Sequence, residues 1–224
     1  MLQKLKNTAE RKIQNVVRRT LLDWPMDFGV ETAVMNNVSG DYHEFGVFEG
    51  RSFIRNALSF QRLLSKNDFD AMNFWAYDSF EGLPETQDKY APSHFVKGAY
   101  SASQELFLGN AKKAGIKESQ IKTVPGFYDQ SLTDEVAAEA FKERKVSVAY
   151  IDCDIYESTV PIFKFLTKGL QVGTVIIIDD WVRHHTHPNH GMQRAFNEWC
   201  EENPNIKMNQ IVLSKRAMFI VYDI

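Results

Sequence analysis

From residue 43 to residue 202 the chain repeats one pattern, a short apolar run followed by a longer amphipathic segment. No other feature restricts the fold as much, because this alternation marks a parallel sheet whose strands are joined by crossover helices. The apolar runs predict strands near 43–48, 73–78, 120–125, 146–152 and 173–179, and helical periodicity predicts helices near 51–65, 102–114, 133–142, 157–168 and 190–202. Two further strand-like runs, Ile206–Leu213 and Ala217–Tyr222, flank Ser214-Lys215-Arg216, a spacing suited to a hairpin and too short for a crossover. An antiparallel edge is therefore expected to close the sheet. Ser101, three residues before Gln104, is expected to open one helix with a capping box.

The chain has 224 residues, 44% hydrophobic and 25% charged, which suits a single well-buried domain and excludes disordered, collagenous and coiled-coil classes. Lys+Arg 26 against Asp+Glu 29 leaves a net charge of -3, too balanced for binding driven by a polyanion, so no nucleic-acid partner is expected. Cys153 and Cys200 are the two cysteines and offer neither a disulfide framework nor a thiolate zinc site, which fits a reducing, cytoplasmic location. The most apolar run, Val175 to Ile178, is far shorter than the ~20 residues that span a bilayer, so no integral membrane segment is expected. The first residues carry charges where a signal peptide would need an apolar stretch. Residues 1–20 place Leu2, Leu5, Ala9, Ile13, Val16 and Val17 on one helical face. Such a helix is expected to pack on its own domain or on a second copy, giving a homo-oligomer, with a basic face toward an anionic membrane as the alternative.

Three stretches place polar residues at predicted strand ends, the edge where open α/β sheets bind ligands. The first, Glu44 to Ser52, is a strand running through a glycine-bearing turn into a helix. It fits neither a phosphate-binding loop, which needs four residues between its glycines and a lysine after the second, nor G-x-G-x-x-G. In the second, Asp78 ends a strand and is suited to accept hydrogen bonds from both hydroxyls of a ribose. In the third, Asp152 and Asp154 end one strand and Asp179 and Asp180 the next. Adjacent parallel strands lie about 4.8 Å apart, so these four acids are expected to meet in one pocket, a crowding that calls for a divalent cation such as Mg²⁺ or for bound protons. Residues 84–100 form the longest stretch without clear periodicity and are expected to act as a lid. His184, His185, His187 and His190 follow closely after Asp180, either as a solvated loop or as a base or substrate contacts.

Gly46-Val47-Phe48-Glu49-Gly50-Arg51-Ser52, Asp78-Ser79-Phe80-Glu81-Gly82-Leu83-Pro84, Pro125-Gly126-Phe127-Tyr128, Asp152 to Thr159 and Gly173 to Trp181 together resemble, in content and order, the macrocin O-methyltransferase (TylF-like) family. The resemblance covers roughly residues 41 to 181. It implies a Rossmann-like class I methyltransferase fold: a mostly parallel seven-stranded sheet with an antiparallel C-terminal hairpin and helices on both faces. It also implies one methyltransferase domain, with residues 1–37 a helical extension and 41–224 the catalytic core. The implied cofactors are S-adenosylmethionine and Mg²⁺, and the implied acceptor is a sugar or glycosylated metabolite.

Residue by residue, the resemblance implies that Glu44, Gly46, Val47, Phe48, Glu49, Gly50 and Ser52 hold the methionine part of the cofactor. Asp78 would take its ribose, Ser79 and Phe80 would flank the nucleoside, and Gly126, Phe127 and Tyr128 would lie by the adenine. Asp152, which also borders the cofactor, would join Asp179 and Asp180 on the metal, with Asp154 as general base. A catechol-like acceptor and a scaffold without turnover are the two alternatives.

Overall fold

The computed structural model describes residues 24–213 and 215–224, so the expected helix over residues 1–20 and the hairpin residue Ser214 lie outside the described residues. Seven strands form one sheet: β1 (Asp41–Phe45), β2 (Phe74–Asp78), β3 (Ile121–Pro125), β4 (Val146–Ile151), β5 (Val175–Ile178), β6 (Lys207–Leu213) and β7 (Arg216–Asp223). Their spatial order is β3-β2-β1-β4-β5-β7-β6. The five strands from β3 to β5 run parallel, and β7 pairs antiparallel with both β5 and β6. This is the Rossmann-like arrangement expected from the sequence. The connection from β1 leads to β2 on one side while β4 lies on its other side, so a crevice opens at the carboxyl ends of β1 and β4.

Side chains alternate across the strands and build a core on each face. Phe45, Ala149, Ile151, Ile176 and Ile178 point to one core, and Tyr42, Val148, Tyr150, Val175 and Ile177 to the other. The second face is covered by a helix whose described part is 24–35 (α1), by α2 (Arg51–Leu63) and by α4 (Gln104–Lys113), through Met26, Val30, Phe53, Phe60 and Phe107. The short α3 (Lys66–Asp70) follows α2. The first face is covered by α6 (Asp134–Ala140), α7 (Tyr156–Leu166) and α8 (Gly191–Glu202), through Ala137, Phe163, Phe165, Phe196 and Trp199, each large side chain worth about 1.5–3 kcal/mol when buried. A single helical turn, α5 (Tyr128–Ser131), sits between β3 and α6.

Two local expectations are corrected. The predicted helix over 51–65 ends at Leu63, because Ser65 leaves the helix and caps α3 by accepting from the Asp68 amide at 3.2 Å. The cap of α4 is Ser103, whose hydroxyl accepts from the Leu106 amide at 3.2 Å; Ser101 instead donates to the Phe80 carbonyl. The Gln104 side chain, expected to complete a box with Ser101, reaches Thr123 Oγ1 at 2.8 Å on β3.

Candidate active site

The turn after β1 is shaped by close approach to β4. Gly46 has φ +87°, and a Cβ there would stand 1.9 Å from the Asp152 carbonyl oxygen, so only glycine fits. The turn is pinned from β2: Asp78 Oδ2 accepts from the amides of Val47 (2.8 Å) and Phe48 (3.0 Å), and Oδ1 accepts from Phe80 (2.8 Å). Three main-chain donors thus fix Asp78 and leave about one of a carboxylate's four lone-pair sites for a ligand. Phe48 (φ 48°) and Phe80 (φ 57°) adopt left-handed backbone conformations costly for non-glycine residues, here offset by the Asp78 hydrogen bonds.

Glu44 lies behind this turn, fully buried, with Ser52 Oγ donating to it at 2.5 Å and the Tyr42 hydroxyl also donating. Burial raises its pKa to about 8 despite these hydrogen bonds. Glu44 therefore braces the start of α2 and does not reach the cavity.

At the ends of β4 and β5, carboxylate oxygens of Asp152, Asp154 and Asp180 all lie within 4.8 Å of one another. Burial, and then the neighbouring carboxylates, push Asp152 and Asp154 well above the usual carboxylate range. Burial also acts on Asp180, but the hydrogen bond from Asp154 and the cations Lys215 and Arg183 outweigh it and hold Asp180 low. A proton on Asp154 and a charge on Asp180 follow. Asp179, expected among the metal ligands, faces other partners: Arg216 Nε at 2.7 Å and Lys215 Nζ at 3.0 Å. The reason is topological, since β7 starts beside the end of β5, with Ile178 opposite Ala217. Asp154 gives the third oxygen of the cluster, and Asp179 lines the same cavity beside it. Three converging carboxylate oxygens with unfavourable mutual charge fit a hard divalent cation of the Mg²⁺ type.

One cavity of about 410 Å³ joins the turn after β1 to the acidic cluster, within the size range of small-molecule sites. Of the residues singled out in the sequence, Gly46, Phe48, Asp78, Ser79, Phe127, Tyr128, Asp152, Asp154, Asp179 and Asp180 line it. Glu44, Val47, Glu49, Gly50, Ser52, Phe80 and Gly126 do not; they shape the turns around it. Sequence reasoning did not single out Cys153, Glu157, Ser158, Arg183 and Lys215 as site residues. The first three sit in the motif that follows Asp152, and the cations could have been found from the antiparallel return of β7 to the carboxyl end of β5. The 84–100 segment supplies a wall through Pro84, Phe95 and Tyr100, and Leu83 and Phe95 form a small core with Ile155. The histidines are neither solvated as a group nor grouped on the acidic cluster. His184 is buried, and the rings of His185, His187 and His190 surround Tyr90 of the 84–100 segment.

A sequence model of the Macrocin-O-methyltransferase (TylF) family matches residues 7–211. The 8-demethyl-8-(2,3-dimethoxy-alpha-L-rhamnosyl)-tetracenomycin-C 4'-O-methyltransferase of Streptomyces olivaceus is 29% identical over 163 residues, which are 70% of this chain and 58% of that protein. The chain thus spans a little over half of that relative's length. Among solved structures, the O-methyltransferase NovP superposes with a TM-score of 0.72 at 21% identity, over 90% of this chain and 79% of its own. An O-methyltransferase from Bacillus cereus in complex with SAH superposes with a TM-score of 0.57 at 20% identity, over 97% of this chain and 91% of its own. At these identities the superpositions show a shared fold.

Proposed function

This chain belongs to the macrocin O-methyltransferase (TylF) family, and from that premise we propose that it is an S-adenosylmethionine-dependent O-methyltransferase acting on a hydroxyl of a sugar or other polyhydroxylated small molecule. The observation that carries the reading is the single cavity joining the Asp78-pinned turn after β1 to the carboxylates of Asp152, Asp154 and Asp180. The sugar acceptor is suggested by the tetracenomycin relative, which bears a rhamnosyl group in its name.

The cofactor supplies an electrophilic methyl group on a sulfonium, and a cation such as Mg²⁺ would supply Lewis acidity toward an acceptor hydroxyl. The residues do the rest. Gly46 and Phe48 form the floor for the donor, and Asp78 offers its remaining lone pair to a ribose hydroxyl. Phe127 and Tyr128 offer apolar surface for a purine. Asp152, Asp154 and Asp180 would hold the cation, and Asp154, ionised beside that positive charge, would take the acceptor's proton as the acceptor oxygen bonds the methyl carbon and the methyl–sulfur bond of the donor breaks. Lys215 and Arg216 keep Asp179 and Asp180 oriented at the end of β5. Transfer needs the hydroxyl and the methyl group held in line, an alignment that the walls of this cavity would supply.

A catechol-like acceptor is the second reading, favoured by Phe95, Tyr100 and Leu83 in the cavity wall. Thermal shifts with S-adenosylmethionine, S-adenosylhomocysteine and Mg²⁺, followed by a panel of rhamnosylated and catechol acceptors, test both readings. The proposal expects stabilisation by about 2–3 kcal/mol at ligand concentrations near 100 Kd and transfer to the glycosylated members. Absence of any shift with either nucleoside would refute it, and transfer to catechols alone would select the second reading.

A further inference from the structure

The histidine-rich segment after β5 is not needed to line the cavity, yet its first member is among the most enclosed polar residues of the chain. His184 is 3% exposed and belongs to a turn in which His184, His185 and Thr186 all have φ between 53° and 57°. One side of its ring meets the acidic cluster through the main chain: Nε2 lies 3.0 Å from the Asp154 carbonyl oxygen. A carbonyl only accepts, so Nε2 carries the hydrogen. Asp154 itself has φ 65°, a conformation that L residues adopt at a cost, and Ile155 N bonds back to the Cys153 carbonyl at 2.7 Å.

The other side of the ring meets the 84–100 segment. Nδ1 lies 3.1 Å from Asp88 Oδ2, at ion-pair distance but outside hydrogen-bond geometry, so Asp88 braces the ring by its position and charge. Asp88, itself on that segment, also receives the Gly191 amide at 2.9 Å, the Tyr90 amide at 2.9 Å and His190 Nδ1 at 2.8 Å. The ring cannot slide, because Gly191 packs against it so closely that a Cβ there would stand 2.4 Å from His184 Cδ2. Phe95, which lines the cavity, packs on its other flank with centroids 6.0 Å apart.

We propose that His184 is a positioning residue that couples the 84–100 wall to the acidic cluster, Asp88 fixing the ring and the ring fixing the main chain of Asp154 so that its carboxylate converges with those of Asp152 and Asp180. The link acts through Asp154 and touches no ligand. Its consequence for cation binding rests on the reading of that cluster as a cation site, whereas the coupling itself does not.

The test uses the full chain free of ligands. Amide hydrogen exchange is followed in peptides covering 84–100 and 152–158, and Mn²⁺ binding is followed by electron paramagnetic resonance. His184→Ala should speed exchange in both peptides and weaken Mn²⁺ binding by about tenfold or more. His184→Gln, which keeps an amide donor for the Asp154 carbonyl, should restore protection of 152–158 while 84–100 stays fast. If the histidine variants do not fold, Asp88→Ala carries the test and should speed exchange in both segments. Faster exchange confined to 84–100 in His184→Ala or Asp88→Ala overturns the proposal, as does a Gln variant no better than Ala. Failure of the unmodified chain to bind Mn²⁺ refutes the cation site and leaves the exchange comparison to decide the coupling.

Discussion

Glu44 is sealed beneath the turn that follows β1, and its pKa of about 8 stands far above the ordinary 4.5, with burial as the main cause. The folded chain therefore keeps a proton that the unfolded chain releases, so the stability contributed by this group is full below about pH 4.5 and is lost as pH rises through about 8. Replacing Glu44 with Gln should flatten the fall in melting temperature between roughly pH 5 and pH 8; an unchanged slope would show that the group is ionised in the folded chain. The identity of such residues was legible in the sequence, while their partners were not. Asp78 stood out as an acid at a strand end, yet the Val47, Phe48 and Phe80 amides that hold it are main-chain groups, which side-chain identity cannot reveal. Asp152, Asp154, Asp179 and Asp180 were expected to converge, and the oxygens of Asp152, Asp154 and Asp180 do so. The diversion of Asp179 to Arg216 depends on strand register, which one sequence does not specify.

The strands and most helices follow from periodicity because each buries a continuous apolar stripe, as in β4, where all six residues are buried. Helix ends are set by weaker, local hydrogen bonds, and there Ser103, two residues after the expected Ser101, takes the cap of α4. Removing the hydroxyl that caps α4, in Ser103→Ala, should cost about 1 kcal/mol in urea denaturation, while Ser101→Ala should cost only a few tenths; equal effects would contradict the observed cap. The 84–100 segment has no periodicity because its order comes from elsewhere: the Leu83 amide bonds the Ala99 carbonyl at 2.9 Å, Phe95 is buried, and Tyr90 packs among the histidine rings. An aperiodic loop and a separate histidine cluster, read apart in the sequence, are two halves of one wall.

Across the whole molecule, one topological fact places the chemistry. The reversal of strand order at β1 and β4 opens a crevice at the carboxyl edge, and the antiparallel return of β7 brings Lys215 and Arg216 to the same edge. The hairpin closes the sheet, as its spacing predicts. That its far end also supplies the cations facing Asp179 and Asp180 required the order β5-β7-β6. Among the described residues no helix is long and apolar enough to cross a membrane. The central claim is that these strand ends hold a divalent cation beside a methyl donor, and transfer of labelled methyl from S-adenosylmethionine to a rhamnosylated acceptor tests it most directly. With Mg²⁺ the label should reach the acceptor, and it should be lost in excess chelator and in Asp152→Ala. Transfer that continues undiminished in chelator would contradict the claim.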